Sequence, residues 1–219
     1  MYFVNLLVYV LFVPHYTLSD SSVDVSNSKL NEELYVKLFK RQRVEQLEAV
    51  KSIRKLSNYD QQYNMILLMA DKIFTVILKS RAEIESSGYI PGISDFPNDD
   101  NTKDALSNIL ENTALFSEIL LRLPDISISI LKTNNNWDML LQWSIAFAHQ
   151  VQYLLDESTI KLLHLVSQEL NHTEKDPNYV NTYRKVDKIN SENMINNAEV
   201  KKKRRKKVMK RGPRLHNEL

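Results

Sequence analysis

Cysteine is absent from the 219 residues of this chain. Disulfide staples, thiolate metal sites and a cysteine nucleophile are excluded with it. Glycine is nearly absent as well, with only three residues, Gly88, Gly92 and Gly212. A turn-rich β fold or a glycine-rich phosphate loop would need more. No G-x-S-x-G nucleophile elbow occurs. The five histidines are His15, His149, His164, His172 and His216, and no two stand at i,i+4. No pair therefore shares a helix face in the manner of a zinc-binding helix. Glu169 and His172 make a single Glu-x-x-His step, whereas a di-iron bundle needs two such steps and further carboxylates. His164 lies on a leucine-rich helix and is expected to be a satisfied boundary histidine. Asp95, Asp99, Asp100 and Asp104 cluster around one loop, but their spacing misses the calcium-loop pattern. No metal, cofactor, small-molecule substrate or enzyme activity is expected.

Charge is present but unevenly placed. The chain has 29 basic and 27 acidic residues, a net charge of +2. Residues 201–219 hold ten of the basic residues and one acid, Glu218, which leaves a balance of −7 in the rest. An acidic body thus carries a basic arm, whose core is Lys201, Lys202, Lys203, Arg204, Arg205, Lys206 and Lys207. Blocks of like charge stay solvated and disordered. No aromatic residue is interleaved with them, so stacking on nucleic acid bases is not expected.

Long apolar runs are missing too. Phe3–Val13 is apolar apart from Asn5, too short for a membrane span of about 20 residues. Pro14 follows, then small residues at Thr17 and Ser19. This layout predicts a secretory signal peptide over residues 1–19, cleaved between Ser19 and Asp20. The last four residues, His216, Asn217, Glu218 and Leu219, resemble the KDEL-type address read by a retrieval receptor. Protonation of His216 in acidic compartments would assist that capture. Together the two ends predict an endoplasmic reticulum lumenal protein that is partly secreted. The basic run taken alone would instead predict a nuclear protein. Asn171-His172-Thr173 is an N-glycosylation sequon at a helix end.

The body reads as helices. Leu30–Leu56 follows a cap at Ser28, with Leu30, Leu34 and Leu38 on one face and Leu47 and Val50 further on. A coiled-coil seam continued from Leu34 and Leu38 runs into Arg41 and Glu45, so a bundle helix is expected rather than a sustained heptad. Tyr59, Tyr63, Ile66, Ala70, Ile73 and Ile77 mark a second helix that fades near Glu85. Ser86–Asn101 is a loop rich in breakers. A third helix starts near Thr102 and turns Leu106, Ile109, Leu110, Phe116, Leu120 and Leu123 inward. Pro124 ends it or starts a short helix through Leu131. Trp137–Leu155 is apolar around most of its first turns, which predicts the centre of the bundle, with Trp137 and Trp143 in the core. Asp156 or Ser158 caps a last helix to about Leu170. The fold class is all-α: a compact bundle of five to six helices over residues 20–172, then a polar and basic arm, 173–219.

Several segments carry a resemblance. Asn112–Pro124 (NTALFSEILLRLP), Asn134–Trp143 (NNNWDMLLQW), Gln168–Asp176 (QELNHTEKD), Lys37–Ile53 and the basic tail with its closing Glu-Leu are similar, in the same order, to the coiled-coil domain-containing protein 134 family. The resemblance implies a non-enzymatic protein of the secretory pathway. It implies an adaptor or accessory role in folding and glycosylation control of endoplasmin near the translocon, or a secreted, cytokine-like damping of mitogen-activated kinase signalling, with a nuclear pool as a further alternative. Asn136, Trp137, Trp143, Arg122 and Pro124 lie in the matching segments and are expected to shape the bundle.

Overall fold

The structure is a computed structural model that describes residues 25–183, with side chains from residue 29 onward. Among the described residues there are six α-helices and no strand: α1 (Val25–Arg54), α2 (Tyr59–Ser87), α3 (Asp100–Arg122), α4 (Pro124–Leu131), α5 (Asn135–Gln150) and α6 (Glu157–Glu169). A 3-10 turn, Gln152–Leu154, joins α5 to α6. The all-α expectation holds. The described residues up to Tyr179 belong to one compact unit, and those from Val180 to another.

Local chemistry sets most helix ends. The Asn58 side chain accepts hydrogen bonds from the Asp60 and Gln61 backbone N–H groups at 2.8 and 3.3 Å, which caps α2. Gly88 ends the same helix at φ 73°, in the left-handed region that glycine enters without steric cost. Asp99 accepts from the Thr102 N–H and hydroxyl, both at 2.9 Å, and so caps α3. Those bonds hold its carboxyl below the usual carboxylate range. Pro124 takes the first position of α4, where its missing N–H costs nothing. Asn134 caps α5 and Asp156 caps α6. Gln62 closes the α1–α2 corner: its amide donates to the carbonyls of Ile53, Arg54 and Leu56, at and just beyond the end of α1. One expected cap is corrected. Ser28 lies inside α1, because the helix already runs through Val25–Ser28.

The centre of the bundle is α3, not α5. From Asn112 to Arg122 every residue of α3 is buried. The helix packs against α1, α2, α4, α5 and α6 at once. Phe116 meets Phe74 of α2 edge-on, with ring centroids 4.8 Å apart. The buried stretch of α3 is rich in polar residues. Asn112, Thr113, Ser117, Glu118 and Arg122 are spread around the helix rather than along one face, and all five are buried. Thr113 and Asn112 satisfy themselves on carbonyls one turn back. Glu118 and Arg122 pair with each other.

A second correction concerns α1. Leu30, Leu34 and Leu38 do share a face, but that face is exposed, at 62, 52 and 43 %. The buried seam lies one residue further on: Tyr35, Phe39, Gln46, Val50 and Ile53. One residue is a rotation of about 100°, so a seam tested from Leu34 misses one that starts at Tyr35. Gly92 shows how the loop after α2 is held. Its φ is 79°, and a Cβ there would stand 3.0 Å from the carbonyl oxygen of Gln150 at the end of α5. No helix among the described residues is long and apolar enough to cross a membrane.

Candidate functional site

The expected cleavage residues Ser19 and Asp20, the basic arm Lys201–Lys207 and the tetrapeptide His216–Leu219 all lie outside the described residues. Asn171 is described: it is exposed, just beyond the end of α6. The Glu169 and His172 side chains go separate ways. Glu169 accepts from the Tyr179 hydroxyl at 2.9 Å, and the His172 ring lies 3.1 Å from Asp138. Among the described residues no group of three or more potential metal ligands comes together. His164 is exposed, with its ring nitrogen 2.8 Å from the Gln168 amide. Burial and the neighbouring His164 lower the pKa of His149.

A groove of about 410 Å³ lies between α2 and the start of α5. Phe74, Thr75, Leu78 and Arg81 supply one wall, and Asn134, Asn136, Trp137, Met139 and Leu140 the other. The helical spacing 74, 78, 81 puts the first wall on one face of α2. Trp137 stacks on Phe74, with centroids 5.3 Å apart and planes 19° from parallel. The Arg81 guanidinium lies 4.7 Å from the Trp143 ring centroid while it pairs with Glu85 at 2.7 Å. Leu78 and Met139 are each 60 % exposed. Neither tryptophan reaches the core; both are half-buried. The expectation of two core tryptophans fails because α3 occupies the centre and leaves α5 on the flank, where a large amphipathic ring covers the seam with α2. An apolar wall with a few polar groups at its rim suits an apolar side chain from a partner.

Among α1, α3 and α6 lies a buried polar network that periodicity alone did not reveal. Glu118 of α3 takes Arg43 of α1 on one carboxylate oxygen at 2.8 Å and Arg122 on the other at 2.6 Å. Arg43 also donates to the Gln46 side-chain oxygen at 2.9 Å and to the Thr159 hydroxyl of α6 at 3.4 Å. Thr159 in turn donates to the α6 cap Asp156. Gln46 then anchors to the Glu111 carbonyl at 3.1 Å. Three helices are thus fixed in register by charges about nine-tenths buried. The available signal was spacing: Phe39, Arg43, Gln46, Val50 and Ile53 follow steps of four and three. Arg122 and Pro124 shape the bundle as expected.

Burial pushes the Glu111 carboxyl up to about 7. In the unfolded chain the group titrates near 4.3. Between these values the folded state holds a proton that the unfolded state has released. Stability from this group is therefore full below the unfolded value and is lost as pH rises through the folded one. Wild type is expected to lose on the order of 2–3 kcal/mol between pH 4 and pH 8 through Glu111. Glu111→Gln should flatten that slope in denaturant titrations at the two pH values; an unchanged slope would refute the assignment.

The family model described as "ERK and JNK pathways, inhibitor" matches residues 21–216. The chain is 36 % identical over 166 residues to coiled-coil domain-containing protein 134 of Xenopus tropicalis, covering 75 % of this chain and 72 % of that one. It is 34 % identical over 151 residues to the Mus musculus protein of the same name, covering 69 and 66 %. No solved structure matches. The family match takes in all six helices, the groove and the buried arginine pair, so the chain belongs to the coiled-coil domain-containing protein 134 family.

Proposed function

We propose that this chain is a non-enzymatic helical binding protein of the secretory pathway that restrains ERK and JNK signalling. The observation that carries the reading is the family match over residues 21–216. The α2–α5 groove supports it by offering an apolar docking surface on a rigid scaffold. The signal-like Phe3–Val13 stretch supports delivery across a membrane. Such a protein acts on the kinases from a distance, through a partner on the same side of the membrane. The test is phosphorylation of both kinases after stimulation of cells that express the full chain. Phosphorylation should fall several-fold, and a form lacking residues 1–19 should have no effect. Equal phosphorylation with and without the full chain would refute the reading.

A second reading is a lumenal adaptor for endoplasmin, captured by the KDEL-type receptor, and His216–Leu219 is the feature that favours it. Removal of those four residues should then raise the secreted fraction several-fold while the kinase response follows the secreted pool. An unchanged secreted fraction would leave the tetrapeptide without a retention role.

A further inference from the structure

We infer that Asn171 accepts an N-linked oligosaccharide, and that it does so before the C-terminal cap of α6 closes. The inference rests on the secretory part of the function proposed above. Asn171-His172-Thr173 has the acceptor pattern. In the fold Asn171 and Thr173 are exposed, so a bulky sugar has room. Asn171 has φ 57°, the one non-glycine residue at positive φ among the described residues. Asparagine tolerates that left-handed position better than other side-chain-bearing residues. The backbone around it forms a closed cap. The Asn171 N–H donates to the Gln168 carbonyl at 3.2 Å, and the His172 N–H to the Ser167 carbonyl at 2.9 Å. These are the two bonds of a Schellman motif.

The middle residue of the acceptor pattern is held a second time. The His172 side chain is only 11 % exposed, and its ring lies 3.1 Å from Asp138 of α5. Transfer joins the Asn171 side-chain nitrogen to the anomeric carbon of a lipid-linked oligosaccharide pyrophosphate. The bond from that carbon to the pyrophosphate oxygen breaks, the lipid pyrophosphate leaves, and the amide nitrogen gives one proton to a base of the transferase. The transferase must grip the asparagine amide and the hydroxyl two residues later together. In the folded cap the backbone between them is turned into α6 and its side chain is packed on α5. The open, extended acceptor exists only before α6 docks. Afterwards the sugar stands at the exposed helix end without disturbing the cap.

The experiment uses the full chain in secretory cells, with digestion by an N-glycan-removing endoglycosidase. Wild type should drop by one glycan step. Thr173→Ala, which keeps Asn171 in its cap, should show no step. Glu199→Thr creates a second acceptor at Asn197 and reports lumenal delivery independently. Sugar on Asn197 but not on Asn171 overturns this inference and leaves the secretory reading standing; sugar on neither overturns both. For the order of events, chains are pulse-labelled while the lipid-linked donor is depleted, and the donor is then restored. Wild-type chains that remain unmodified through the chase support closure of the site by folding, and their conversion to the glycosylated form overturns it.

Discussion

Glu118→Ala is expected to destabilise the bundle by about 3–5 kcal/mol, the range for breaking a buried ion pair by removing one partner. Arg43 and Arg122 would then be two cations, 11 and 10 % exposed, without the carboxylate they share. The loss is more than that of two hydrogen bonds. Glu118 ties α1 to α3, and Arg43 carries the tie on to Thr159 of α6. Helix register is therefore released along with the charge. Thermal unfolding should move down by roughly 10 °C for a domain of this size. Glu118→Gln keeps the shape and an acceptor oxygen, and should fall between wild type and the alanine variant. A triple replacement with Arg43→Met, Glu118→Leu and Arg122→Met should recover most of the loss, since a well-packed apolar trio removes the desolvation cost altogether. A loss below about 1 kcal/mol for Glu118→Ala would place the cluster with surface ion pairs and would contradict the burial described here.

Phe116→Ala should cost about 3–5 kcal/mol, in the range for emptying a buried aromatic site. Phe116 is fully buried in α3 and touches Phe74 across the α2 interface. The surrounding shell comes from long helices that cannot collapse into the hole without shifting as rods. Trp143→Ala, by contrast, removes a larger ring from a half-buried site. Its losses are the contact with Phe147 at 5.4 Å and the Arg81 guanidinium above it. That variant should cost less than about 2 kcal/mol. Chemical denaturation of the two variants side by side decides which helix is central. If Trp143→Ala proved the more damaging, α5 rather than α3 would hold the middle of the bundle.

Much of the helix layout was legible beforehand. The α2 stripe from Ile66 to Ile77 is buried where a period of 3.6 puts it. Pro124 opens α4 and Asp156 caps α6 because those residue types relieve the same unpaired N–H groups wherever a helix starts. The inward face of α1 was legible only at Val50. Leucines at 30, 34 and 38 form the stronger apolar stripe, yet the buried seam includes Gln46 and flanks Arg43. The groove was not legible: Trp137 was expected in the core, and Phe74, Leu78 and Arg81 line the groove only once α2 lies beside α5.

The sequence by itself determined the helical class, the turns and most of the capping residues, because these depend on interactions within a few residues of one another. Tertiary structure alone decided which helix is central and which face of α1 is dry. A polar residue is costly in a core only while it lacks a partner. Glu118 found its partners 4 and 75 residues away, at Arg122 and Arg43. The nearer pairing has the ordinary helical spacing and carries no mark of burial. The farther one exists only once α1 lies against α3, and that contact lets charged side chains stand in the middle of the fold.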